Sequence, residues 1–207
     1  MSHNSVIHSP GGIVISHRSF SRWVALALAS FLTLSLSGCA AGTAAKNYTV
    51  IPESYYEYFG DTPGEDVASI RALGPDYCTR AYRKDGGIVI VANSRQRKNL
   101  RKRNDHLIKY YKDLFLEESS EYAIHSSPDF RHLEFVYDEK MDETTQNEAV
   151  RGLAYMYVLN QLIDGAGENW SLNITIRNCH TGKRIADVKI PGHAIDFSHA
   201  DWNESID

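Results

Sequence analysis

Gly86-Gly87-Ile88-Val89-Ile90-Val91-Ala92-Asn93-Ser94 is the stretch on which the fold turns. Four β-branched residues in a row, opened by two glycines, read as a short buried strand. Asn93 or Ser94 then offers a side-chain oxygen to the first amides of a helix. That helix is expected to run to about Glu118. Leu100, Leu107, Ile108, Tyr111, Leu114 and Phe115 fall at three- and four-residue steps and make one apolar face. Beyond it, Tyr122-Ala123-Ile124 and Leu133-Glu134-Phe135-Val136-Tyr137 alternate as strands do, with Pro128 between them. Asp142-Glu143-Thr144-Thr145-Gln146 opens a second helix, its acids placed at the positive end of the helix dipole. Ala149, Leu153, Met156, Tyr157 and the run 159–163 carry that helix to Gly165. Trp170 to Arg177 alternates again, with Leu172, Ile174 and Ile176 on one face. Asn178 to Gly182 is a turn, and Lys183 to Ile190 returns until Pro191-Gly192. The order is strand, helix, strand, helix, hairpin. It predicts an α/β (α+β) domain with a single small sheet and two main helices packed on a face.

Outside this block the charges are uneven. Residues 1–38 hold two basic residues, Arg18 and Arg22, and no Asp or Glu. The other 20 of the chain's 22 basic residues face all 26 acidic ones, so the remainder carries a net charge of -6. Such an acidic balance argues against a nucleic-acid partner, which needs clustered positive charge to displace counterions from phosphates.

Arg18 and Arg22 precede Trp23 to Leu36, an uncharged run of 14 residues. A basic flank, an apolar run too short to span a bilayer and then small residues make a secretory signal. The run ends in Leu36-Ser37-Gly38-Cys39, which resembles the lipobox of bacterial lipoproteins. In that family a branched apolar residue and two small ones precede a Cys. The Cys thiol receives a diacylglycerol, the chain is cut before it, and the new amino group is acylated. The resemblance implies a signal peptide at 1–38 and a membrane anchor through lipid at Cys39. Acyl chains hold firmly because each buried methylene contributes about 0.8 kcal/mol. Ala40, rather than Asp, follows the Cys. In a Gram-negative host the family pattern then implies the outer membrane, facing the periplasm.

Residues 39–47 read as the lipidated Cys and a flexible tether, and 48–207 as one domain with an extended N-terminal arm and a loose C-terminal tail. The aromatic cluster Tyr55-Tyr56-Glu57-Tyr58-Phe59 belongs to the arm. It is expected either to pack across the domain or to serve as a docking surface. Two cysteines remain, Cys78 and Cys179, and outside the cytoplasm an even pair is a disulfide candidate. The loop it would close, of about 100 residues, is worth up to about 4–5 kcal/mol by chain entropy.

Arg95, Arg97, Lys98, Arg101, Lys102 and Arg103 crowd the start of the first long helix, and Glu117-Glu118 closes it. A helix dipole disfavours that polarity by a few tenths of a kcal/mol per charge. Helix stability therefore does not account for the cluster, which is either a solvated face or a site for an anion. The anion would be a lipid headgroup, an anionic glycan or an acidic envelope protein. His193, Asp196, His199 and Asp201 are metal-ligand types, but no helical spacing presents two of them together, and no metal or cofactor is expected. The chain has no Gly-x-Ser-x-Gly, His-Glu-x-x-His or phosphate loop. The element order looks like that of small envelope domains, including the lipoprotein activators of penicillin-binding proteins and the amino-terminal domain of the Tol-system propeller protein. The expectation is a membrane-anchored envelope lipoprotein that binds another envelope component without catalysis. Two further classes stand beside it: a lipid-tethered hydrolase of envelope material, and a structural protein acting through self-association. A cleft with two close carboxylates, or a Ser beside a His, would favour the hydrolase. A shallow surface joining the basic helix to the Tyr55–Phe59 cluster would favour binding.

Overall fold

A computed structural model describes residues 48–195 and 199–206. The signal segment 1–38, Cys39 and the tether lie outside the described residues. The strand predicted from Ile88 forms as β3, Gly87–Val91, and it is central. It pairs antiparallel with β1, Tyr48–Ile51, on one side and with β2, Arg80–Lys84, on the other. Asp85 and Gly86 join β2 to β3 as a two-residue hairpin turn with φ of 48° and 72°, the backbone that matches strand twist and favours Asp-Gly. Gly87 has to be glycine for another reason. A Cβ there would lie 2.2 Å from the Ile51 carbonyl oxygen.

A second sheet takes the remaining strands in the order β4, β5, β6, β7: Ala123–Ser126, His132–Tyr137, Leu172–Asn178 and Arg184–Ile190. Pairing is antiparallel except between β5 and β6, which run parallel. A parallel pair needs a long crossover. The helix predicted after Asp142 supplies it. The buried side chains of this sheet alternate as expected, with Leu133, Phe135 and Tyr137 on β5 and Leu172, Ile174 and Ile176 on β6 each no more than 1% exposed.

The helices are α1, Glu53–Phe59; α2, Pro63–Ala72; α3, Ser94–Leu116; α4, Glu143–Ile163; and α5, His199–Ile206. Helix α3 begins with a reciprocal cap. The Asn93 side chain accepts from the Gln96 amide, and the Gln96 side chain accepts from the Asn93 amide. Helix α4 starts where Asp142 accepts from the Thr145 amide. The two long helices lie against each other so closely that a Cβ at Gly152 would come within 2.6 Å of the Tyr111 ring.

A single sheet with two main helices is therefore not the fold. Among the described residues there are two sheets, of three and four strands, and five α-helices in a mixed α+β arrangement. The physical reason lies at the N-terminal side. Tyr48–Ile51 and the charged Arg80-Ala81-Tyr82-Arg83-Lys84 occupy both edges of β3. With both edges taken, β3 cannot join β4 and β5. The arm is likewise a strand followed by helix α1, whose Tyr55, Tyr56 and Phe59 are buried. The C-terminal end carries helix α5, which buries Trp202 against Tyr137.

Candidate functional site

Helices α2, α3 and α4 meet over the first sheet without filling the space between them. A cavity of about 110 Å³ remains, floored by Ile51 and Ile90 and walled by Leu100, Leu107, Met156 and Leu159. Its lining is apolar except for Asp66, Ser69, Arg103, Asn104 and Tyr155. Asp66, Ser69, Arg103, Leu107 and Leu159 are half-buried and form the rim. The volume is comparable to the roughly 150 Å³ apolar cavity known to take benzene.

Three of the polar groups are under electrostatic or hydrogen-bonding tension. Burial drives the Asp66 carboxyl up to about 6. Hydrogen bonds from Tyr56 and Tyr155 oppose the rise, and the acids Asp61 and Glu65 add to it. The Tyr56 hydroxyl donates to Asp66 Oδ2 at 3.0 Å. Burial also pushes the Tyr155 hydroxyl well above its ordinary range, with the Asp66 charge adding to it. Asn104, 3% exposed, donates from Nδ2 to the Met156 carbonyl at 2.8 Å and to Asn160 Oδ1 at 2.6 Å. Both partners are acceptors, which fixes the amide's orientation. Its Oδ1 is then a buried acceptor with no partner among the described residues, a condition that costs roughly 1–3 kcal/mol when left unmet.

The basic cluster divides into three. Arg95 pairs with Asp76 at 3.6 Å. Arg101 pairs with Asp105 and Asp164 and covers the Phe130 ring at 4.5 Å. Arg97, Lys98 and Lys102 have no acidic partner among the described residues, and neither has Arg103, which turns to the cavity rim. Of the two alternatives for the Tyr55–Phe59 cluster the structure takes packing across the domain, with rings against Tyr155 and Trp170, so the surface joining it to the basic helix that would have favoured binding does not form.

Cys78 and Cys179 are both free thiols. Cys78 is buried beside α2, its Sγ donating to the Ile70 carbonyl at 3.8 Å. Cys179 follows β6, its amide donating to the Tyr137 carbonyl at 2.9 Å. There it joins a second grouping that sequence reasoning missed. The start of β4, the end of β5 and the end of β6 lie at one end of the second sheet, which brings Glu121, Asp138 and Cys179-His180 together. Asp138 is 8% exposed. Its Oδ1 accepts from the Tyr122 hydroxyl at 2.7 Å and the Lys140 amide at 2.9 Å, and its Oδ2 faces His180 Nε2 at 3.0 Å. Burial alone would raise its carboxyl, but these hydrogen bonds hold it below the ordinary range. Burial and the charges of Asp138 and Glu121 push the Cys179 thiol up, the opposite of an activated nucleophile. Of the C-terminal candidates, Asp196 lies outside the described residues, and the His193 carbonyl accepts from the Tyr58 hydroxyl at 3.1 Å.

Asn104 does carry a signal in the sequence. Gln96, Leu100, Asn104 and Ile108 recur every fourth residue, so a polar side chain stood on the buried stripe. Asp66 and Glu121 carried none, because only the tertiary fold places them. Comparisons with protein-family models, with curated proteins and with solved structures each return no match.

Proposed function

We infer that this chain is a lipid-anchored envelope protein whose folded domain binds an amphipathic anion without transforming it. Leu36-Ser37-Gly38-Cys39 supports the anchor, and with it a place at the envelope membrane, the outer one if the host is Gram-negative. The observation that carries the binding reading is the position of Arg103. It belongs to a basic cluster that helix stability does not explain, it has no acidic partner among the described residues, and it stands at the rim of an apolar cavity. An apolar tail of a few carbons fits the walls. A carboxylate or phosphate head fits Arg103, with Arg97, Lys98 and Lys102 further along the helix to hold the surrounding negative surface. An acidic protein side chain lacks the apolar body that this cavity asks for, and a glycan lacks it more completely. An anionic lipid or fatty acid of the envelope is the ligand class, and the role is that of an accessory or carrier protein.

The test is titration of the full chain, held in phosphatidylcholine nanodiscs, with octanoate. Arg103→Ala is expected to weaken binding by roughly tenfold or more, the value of one charge-assisted hydrogen bond. Leu159→Trp, which fills the cavity, is expected to abolish it. Octanoate binding that both variants leave at the wild-type level would sink the proposal.

A further inference from the structure

We propose that Glu121, Cys179 and His180 form a three-ligand site for zinc or a similar late divalent cation, with Asp138 orienting the histidine. The ligand-capable atoms of the three residues lie within 4.8 Å of one another. They are one thiol, one imidazole and one carboxylate, the borderline-soft set that zinc takes.

The orientation of the imidazole carries the argument. Asp138 is fixed as an acceptor by Tyr122 and by the Lys140 amide, so His180 Nε2 is the nitrogen that carries hydrogen toward it at 3.0 Å. His180 Nδ1 is left facing Glu121 Oε2 at 3.5 Å. In the neutral ring that nitrogen keeps its lone pair, and a carboxylate oxygen lies 3.5 Å away with the Cys179 sulfur near both. A cation placed there would take electron pairs from the nitrogen, the carboxylate and the sulfur together. A carboxylate hydrogen-bonded to the far nitrogen of a metal-binding histidine is the usual outer support of such a centre, since it fixes the tautomer and the ring. The grouping sits beyond the carboxyl ends of the parallel strands β5 and β6.

Zinc holds sulfur at about 2.3 Å and nitrogen or oxygen at about 2.0–2.2 Å, so the three atoms must draw in by roughly 1 Å. Glu121, with its side chain 63% exposed, can make most of that movement. Binding deprotonates the Cys179 thiol, and its proton passes to the buffer. Three protein ligands leave a fourth position open to water or to a group from a partner.

Titrating the reduced, chelator-stripped full chain with Co²⁺ reads each ligand separately. A thiolate-to-cobalt absorption in the near ultraviolet is expected, removed by added Zn²⁺. Cys179→Ser should eliminate it, whereas Cys78→Ala and Cys39→Ala should leave it intact. His180→Ala and Glu121→Gln alter exposed side chains. Each is expected to weaken Co²⁺ binding by about tenfold or more, and Asp138→Asn by roughly 10- to 100-fold. The proposal is overturned by any of three results: no ultraviolet band in the wild type, a band that survives Cys179→Ser, or Co²⁺ affinity that His180→Ala and Glu121→Gln leave unchanged.

Discussion

Replacing Asp66 with Asn makes the cavity's electrostatics measurable as stability. The Asp66 carboxyl is pushed up to about 6 in the folded protein, burial being the main cause, against roughly 3.9 in an unfolded chain. A raised carboxyl means that the folded state holds its proton more tightly. Its contribution is fully present below about pH 4, declines as pH rises, and is lost above about pH 6. Two pH units at about 1.36 kcal/mol each set a ceiling of about 3 kcal/mol. Asp66 is half-buried at the rim, and Asn brings an amide that needs partners of its own, so about 1–2 kcal/mol is the realistic effect. The Tyr56 hydroxyl can donate to the Asn oxygen as it does to the carboxylate. Urea unfolding of both proteins between about pH 4 and pH 8 reads the term, because titrating groups that do not interact with Asp66 cancel in the difference. Asp66→Asn should gain on the wild type as pH rises through 4 to 6 and then hold its lead. A difference that stays flat across this range, or that moves toward the wild type, would refute the reasoning.

Gly87→Ala should destabilise the protein by about 1–3 kcal/mol in the same assay, since the new methyl meets the Ile51 backbone carbonyl and not a side chain that can turn away. Neutralising Arg97, Lys98 and Lys102 together should change stability by no more than about 0.5 kcal/mol. It should weaken salt-sensitive attachment of the full chain to anionic vesicles by about 1 kcal/mol per residue. Unchanged vesicle binding would mark those three residues as a solvated face.

Much of the second sheet and its helices could be read along the chain because their signals are local. The Asn93 cap, the start at Asp142, the alternation of Leu172, Ile174 and Ile176, and the turn at Asn178 to Gly182 each depend on neighbours within a few residues. In the first sheet only the central strand β3 was legible, and its two partners were not, for the opposite reason. Arg80 to Lys84 keeps only Ala81 buried, so it shows no apolar face, and its strand character comes from hydrogen bonds to β3. Asp85-Gly86, a hairpin signal in the sequence, was the available clue. Tyr55 to Phe59 holds aromatic residues of middling helix propensity in a seven-residue segment, where tertiary packing, not local preference, decides the state. The basic cluster could be read as unusual for its helix. That one of its members, Arg103, reaches a cavity depended on where α2 and α4 came to rest. The Glu121, Asp138 and Cys179-His180 grouping was invisible because the order β4, β5, β6 is a property of the sheet and not of the chain.

Photo-crosslinking tests the central claim of an amphiphile in the cavity most directly. The full chain in phosphatidylcholine nanodiscs is irradiated with an octanoate analogue carrying a diazirine at its tail, and the adducts are mapped by mass spectrometry. Labelling at Leu100 to Leu107 and at Tyr155 to Leu159, reduced in Arg103→Ala and lost in Leu159→Trp, is the predicted result. Labelling confined to residues outside the cavity, or undiminished in those two variants, would contradict it.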